Sequence, residues 1–278
     1  MTPNVLFAAT NYGPLWAPAV ESWLAVVGYT NRFFPCEAVP LHPGLSPSRG
    51  GIIANSVGDR MYTHTAENAI AGSALSVDPP ISHVFMTECD MILPHDTITK
   101  LLEVNQPIVS GVYFLRNGNG QPCLYVKGFV SKENPYAHQP VSIFPEDAPF
   151  PLDPKGHGGC VGLGCVLIRR EVFEAIAFPW FDLKEGTYGS DMYFWTKVRD
   201  HGFDVWVHPG VACGQIDYTM MTIHDYHRRI QEDPKYAASG FIIGSGGTRQ
   251  PGGPVVRFHP APGGSGNGRE AVAGLGAG

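Results

Sequence analysis

Two carboxylates one residue apart close an apolar run in His83-Val84-Phe85-Met86-Thr87-Glu88-Cys89-Asp90-Met91-Ile92-Leu93-Pro94. Side chains alternate faces along a strand, so Glu88 and Asp90 point the same way if the run is one. Convergent carboxylates beyond the carboxyl end of a strand suit a hard divalent cation, Mg²⁺ or Mn²⁺, which would in turn hold a diphosphate. Standing alone, the same pair also reads as a solvated strand end or a helix-capping acid. A further acid, Asp191, opens the aromatic-rich segment Ser190-Asp191-Met192-Tyr193-Phe194-Trp195. It reads as a general base or as an N-cap, a role Ser190 fills equally well. The small-residue run Gly158-Gly159-Cys160-Val161-Gly162-Leu163-Gly164-Cys165 lets backbone approach a ligand, or lets strands pack tightly.

The elements that must position these residues alternate between apolar strand-like runs and helical stripes, the pattern of an α/β domain with a mostly parallel sheet flanked by helices. Strands are expected at 4–9, 83–87, 108–114, 124–130, 163–168 and 203–208. Helices are expected at 18–27, with Pro18 at its start, at 53–75, stopped by Asp78-Pro79-Pro80, at 96–104 with Asp96 as cap, at 170–177, and at 191–201, closed by Gly202. Residues 135–154 are rich in proline and read as an irregular functional loop. Residues 1–240 form one domain in this reading. Residues 241–278 are a Gly/Pro-rich flexible tail, whose composition cannot offset the entropy of ordering.

The 278 residues are 44% apolar and 16% charged, enough apolar material for a large core. A formal net charge of −6 removes the broad attraction on which a general nucleic-acid or anionic-membrane surface relies. No signal peptide and no membrane span are read, so a soluble, cytoplasmic protein is expected. The six cysteines lack a CxxC pair and read as buried thiols.

The succession of E-x-D with Met-Ile-Leu-Pro, then Ser110-Gly111-Val112-Tyr113-Phe114, Gly162-Leu163-Gly164-Cys165-Val166-Leu167-Ile168-Arg169-Arg170-Glu171-Val172-Phe173, Ser190-Asp191, Asp204-Val205-Trp206-Val207-His208-Pro209 and Cys213-Gly214-Gln215-Ile216 resembles the GT-A nucleotide-sugar glycosyltransferases. The likeness is to the family-2-like group of bacteria and phages, and it covers roughly residues 4–226. It implies a GT-A, Rossmann-like fold and a metal-assisted, inverting transfer of sugar from a nucleoside-diphosphate sugar to an acceptor hydroxyl. By position, Glu88 and Asp90 fall on the family's D-x-D, with Glu in place of the first Asp. Gln215 falls where a metal-ligating His is common, so the implied ligands of Mn²⁺ or Mg²⁺ are Glu88, Asp90 and Gln215. Asp191 falls on the general base, with Ser190 where Glu commonly precedes it. Thr10, Asn11 and Tyr12, with Arg60 and Cys89, fall on the nucleotide-sugar-binding positions. Trp180 and His157 lie towards the implied acceptor side, and His224 and His227 read as the exposed start of a closing helix. Two other readings remain: a sugar-phosphate nucleotidyltransferase, against which stands the lack of basic residues after the first strand, and a non-catalytic protein that kept the fold.

Overall fold

The computed structural model describes residues 3–10, 16–33, 36–38, 63–76, 80–116, 120–127, 138–153, 158–183, 189–216, 222–232 and 241–242. In chain order the elements are β1 (Val5–Thr10), α1 (Ala17–Thr30), β2 (Cys36–Ala38), α2 (Thr63–Ser76), β3 (His83–Glu88), β4 (Met91–Ile92), α3 (Thr97–Glu103) and β5 (Ile108–Val112). There follow β6 (Leu124–Lys127), β7 (His138–Ile143), β8 (Phe150–Pro151), β9 (Cys160–Val161), β10 (Cys165–Arg169), α4 (Arg170–Ala175), α5 (Ser190–Asp200), β11 (Val205–Ala212), β12 (Gly214–Gln215), α6 (Ile223–Glu232) and β13 (Phe241–Ile242).

A seven-stranded sheet in the order β2-β1-β3-β10-β5-β11-β8 forms the centre. β2, β1 and β3 are mutually parallel, as are β5 and β11, while β10 runs antiparallel between β3 and β5. The α/β class and the flanking helices are as the pattern predicts. The antiparallel insertion of β10 is not legible locally, because a fully buried strand has the same composition in either direction. Alternation along β1 divides the core. Val5, Phe7 and Ala9 join Trp23 of α1 and Ile98 and Leu101 of α3 on one face. Leu6 and Ala8 join Ile70 and Ala74 of α2, Phe173 of α4 and Phe194 of α5 on the other.

A second sheet, β13-β7-β6-β9, and the two-strand pair β12-β4 lie outside the central one. Two strands change the reading of residues 135–154, since β7 of the second sheet and β8 at the edge of the central one both fall inside the expected irregular loop. Proline within a run argues against a strand. Pro140 is tolerated because it pairs with Tyr125 of β6, while pairing to β13 starts only at Val141. β13 comprises the first residues of the segment read as a tail, and residues 243–278 lie outside those described. Asp96 does take the N-cap position of α3, but its side chain makes no capping bond and pairs instead with Lys100 at 2.9 Å.

The glycine run is explained by packing. Tyr113 passes over Gly162 and Gly164, and the Gly164 N–H donates to its hydroxyl at 3.2 Å. A Cβ on Gly164 would stand 2.8 Å from Tyr113 Cζ and 3.0 Å from Met91 Sδ. Trp180, on the side where the resemblance implies an acceptor, belongs to the core, its indole N–H shared between the Phe173 and Ile176 carbonyls. The Gly164→Ala variant should therefore lose about 1–3 kcal/mol of stability, as an overpacked core site does; an unchanged urea midpoint would show that Tyr113 moves aside freely.

Candidate active site

β1 and β3 end side by side, with Thr10 in register with Glu88. Glu88 thus stands at the carboxyl end of the sheet, where ligands of open α/β folds bind. The chain turns through Cys89 and Asp90 into β4, and β4 pairs with β12, placing Gln215 beside Met91. The Ile216 N–H donates to the Asp90 carbonyl at 2.8 Å and closes this turn. Three of the implied site residues, Glu88, Asp90 and Gln215, are therefore together. Thr10 is buried with its hydroxyl donating to the Thr87 carbonyl at 3.3 Å, and Cys89 is buried in the core. Asn11, Tyr12, Arg60 and His157 lie outside the described residues.

α5 brings Asp191 to the same cleft. The cap position is Gly189, with no side-chain cap; Asp191 Oδ1 accepts the N–H of Met192 at 2.8 Å. A cleft of about 300 Å³ is lined by Glu67, Glu88, Arg116, Ser190 and Asp191, with Thr63, Leu163, Leu183 and Gly189 completing its wall. Asp191 also borders a second cavity of about 370 Å³, lined by Leu115, Cys123, Tyr125, His138 and Met192. Asp191 thus borders both spaces. Burial raises its pKa, opposed by the hydrogen bond from Met192.

Glu67 and Arg116 carry no motif and were not singled out by sequence. Glu67 lies on the buried stripe of α2, where an acid is legible only as a polar interruption of that stripe. Its neighbour Asn68 holds α2 to the chain before α5, its side-chain oxygen accepting from Trp180 N at 3.0 Å and Phe181 N at 3.2 Å. Its amide nitrogen donates to the Phe181 carbonyl at 2.7 Å. So anchored, Glu67 meets the Ser190 hydroxyl, while Oε2 is buried with no hydrogen-bond partner among the described residues. Burial pushes its pKa up to about 8 against the pull of the Ser190 bond, and the charges of Asp191 and Glu88 add to the rise. Glu88 is pushed up to about 7 by burial and by Asp90, with Arg116 opposing.

Arg116 sits in the hairpin that extends β5, fixed by the Phe114–Pro122 bridge and by Leu115 N–H donating to the Gln121 carbonyl at 2.9 Å. Its Nη2 lies 2.7 Å from Asp90 Oδ2; the Asp90 side chain is 4% exposed and that of Arg116 49%. Hydrogen bonding orients the Gln215 amide with its nitrogen on the Phe114 carbonyl at 2.7 Å and its oxygen on Arg116 Nε at 3.1 Å. The reverse orientation sets two acceptors against each other. A hard divalent cation needs ionised carboxylates and open amide oxygens. The side chains read as ligands do not meet that need as arranged: a guanidinium holds Asp90 and the oxygen of Gln215. Among the described residues, no three His, Cys, Asp or Glu side chains form a group that could hold a metal.

No protein-family model matches the chain, and no curated protein matches it by sequence. Its fold is similar to the solved structure of GalNAc-T7 with UDP, GalNAc and Mn²⁺, with a TM-score of 0.51 and 12% identity over 83% of this chain and 48% of that one. The chain thus spans about half the length of that protein. Weaker likenesses are to A197 from STIV, with a TM-score of 0.43 and 13% identity over 79% of this chain and 93% of that one, and to a protein of Bacillus anthracis assigned as a glucose-1-phosphate thymidylyltransferase and solved with a sucrose, with a TM-score of 0.38 and 10% identity over 84% and 94%. At such identities the likeness is one of fold, and the fold is GT-A-like: an α/β domain with a central mixed sheet flanked by helices. No helix among the described residues is long and apolar enough to cross a membrane.

A raised folded-state pKa stabilises the fold fully below the unfolded value and loses that contribution as pH climbs through the folded one. For Glu67 the window runs from its ordinary value of 4.5 to about 8. Glu67→Gln mimics the protonated acid, so its melting temperature relative to the parent should rise steadily across that range. Parallel pH curves for the two proteins would rule out a neutral buried Glu67.

Proposed function

We propose that the chain is a glycosyltransferase that moves a sugar from a nucleoside-diphosphate sugar to an acceptor hydroxyl with inversion. The observation that carries this reading is the position of Asp191, one acidic residue in the lining of two cavities, the first of which holds Glu88 at the carboxyl end of the sheet. A transfer between two substrates needs a base at their junction, and a general base works best when its pKa lies closer to the working pH than a free carboxylate's. Burial moves Asp191 in that direction. The GT-A-like fold, similar to that of a protein solved with UDP and GalNAc, supports a donor of that class.

In this reading the donor's diphosphate and sugar enter the cleft of Glu67, Glu88 and Arg116, and the acceptor enters the cavity of Tyr125 and His138. The acceptor oxygen attacks the anomeric carbon, its proton passes to Asp191, and the bond from that carbon to the diphosphate oxygen breaks, the electron pair leaving with the nucleoside diphosphate. One displacement inverts the anomeric centre. Charge on the departing diphosphate is met by Arg116, whose fork of N–H donors matches phosphate oxygens. Glu67 helps by being neutral: with its pKa at about 8, it adds no negative charge beside an anionic leaving group at neutral pH. Thr10, Asn11, Tyr12, Arg60 and Cys89 stand in the proposal as the nucleotide side of the site. Glu88, Asp90 and Gln215 stand where the resemblance puts the ligands of Mn²⁺ or Mg²⁺, but with Arg116 on Asp90 and Gln215 they do not fit that ion as arranged.

A panel of UDP-, GDP-, CMP- and dTDP-sugars tests the donor class. A cognate donor at a hundredfold over its dissociation constant stabilises the native state by about 2.7 kcal/mol, a shift of several degrees, whereas a panel with no shift removes the reading. With that donor in hand, Asp191→Asn should keep the melting temperature and donor binding while lowering turnover by roughly two to four orders of magnitude. Asparagine retains an oxygen for the Met192 N–H, so full turnover in the variant would reduce Asp191 to a helix-terminus residue.

A further inference from the structure

Resting on the nucleotide-sugar reading, we propose that Arg116 takes the place of the divalent cation, so that the site binds a nucleoside diphosphate without metal. An ion pair and the orientation of one amide support the assignment. Arg116 Nη2 reaches Asp90 Oδ2 at 2.7 Å, and its Nε donates to the Gln215 oxygen at 3.1 Å. The Gln215 nitrogen is in turn fixed on the Phe114 carbonyl at 2.7 Å, two residues before Arg116, so the amide is turned towards the guanidinium by the same hairpin that carries it. Both anchors are buried, Asp90 at 3% and Gln215 at 4% exposure. The arginine side chain is 49% exposed and lines the cleft with Glu88 and Asp191.

The chemistry of the two cations differs in a way that decides the outcome. A divalent ion bridges carboxylate and phosphate oxygens and needs Asp90 ionised and uncovered. To bind here, it has to displace a guanidinium from a buried carboxylate, and breaking such a pair is costly. Arginine needs no displacement. Its guanidinium presents five N–H donors, of which Asp90 and Gln215 take one each. The half-exposed remainder of the fork faces the cleft, in the planar geometry that pairs with two phosphate oxygens. Asp90 is then the counter-charge that aims the guanidinium, and Gln215 is a positioning residue, its neutral amide accepting from Nε where a protonatable imidazole would repel. The presence of glutamine in place of the family's histidine follows from this arrangement.

The experiment is calorimetric titration of the full chain with UDP, GDP, CDP, ADP and dTDP, in EDTA and again with Mn²⁺ after correction for the metal–nucleotide complex. The nucleotide that binds should do so with the same affinity, within about threefold, in both media. Arg116→Gln should weaken binding in EDTA by about 10- to 100-fold, the loss of a charge-assisted phosphate contact. Since that change leaves Asp90 without its cation, the double variant Arg116→Gln with Asp90→Asn guards against misfolding and should show the same loss. Binding by the parent that collapses in EDTA, or that Arg116→Gln leaves intact there, overturns the proposal and leaves the donor class standing. No binding by any of the five in either medium overturns both.

Discussion

The buried carboxylate of Asp90 and the guanidinium of Arg116 set the terms for everything at the carboxyl end of the sheet. Burying a carboxylate is expensive unless it is paired, and here the pair is made across a turn, a hairpin and the end of a neighbouring strand. Phe114 links that local arrangement to the rest of the fold. Its ring stacks on Tyr226 of α6 at 5.4 Å, and its carbonyl takes the Gln215 amide. The same tyrosine stacks on Phe144 at 5.0 Å, and the next residue, His227, contacts Glu146 at 2.9 Å. The hairpin that aims the arginine is thereby held by α6 and by the segment following β7.

Negative charge is the other constraint. Glu67, Glu88 and Asp191 line one cleft with Asp90 just behind it, and Arg116 is the only cation in that lining among the described residues. The pKa values of Glu67, Glu88 and Asp191 are all raised, first by burial, and neighbouring carboxylates add to the rise at Glu67 and Glu88. The fold thereby separates the acids by role: Asp90 stays paired, while Glu67 is protonated near neutral pH.

Packing supplies the precision that the chemistry needs. Tyr113 lies over Gly162 and Gly164, which locks the start of β10 against the segment leading to Arg116. Asn68 binds α2 to residues 180 and 181, which brings Glu67 to Ser190 and so to Asp191. Trp23 donates to the Met91 carbonyl at 3.0 Å and fixes β4, the strand that carries the chain away from Asp90. In each case a side chain in the core places a side chain in the cleft.

By itself, the sequence determined the succession of strands and helices, the exit of Glu88 and Asp90 from a strand end, and the opening of a helix at Asp191. These follow from hydrophobic period and from the alternation of side chains along a strand, which act over a few residues. It also placed Gln215 beside the acidic pair, through the order of motifs in a resemblance. The tertiary structure alone decided the reversed direction of β10, the strands inside a proline-rich stretch, and the arrival of Glu67 and Arg116 in the cleft. Glu67 looks like any acid on a helix and Arg116 like any arginine in a loop; what distinguishes them is a partner far away in the chain. Pairing of that kind is settled by the competition between desolvation and charge once the sheet has assembled, and no local pattern encodes it.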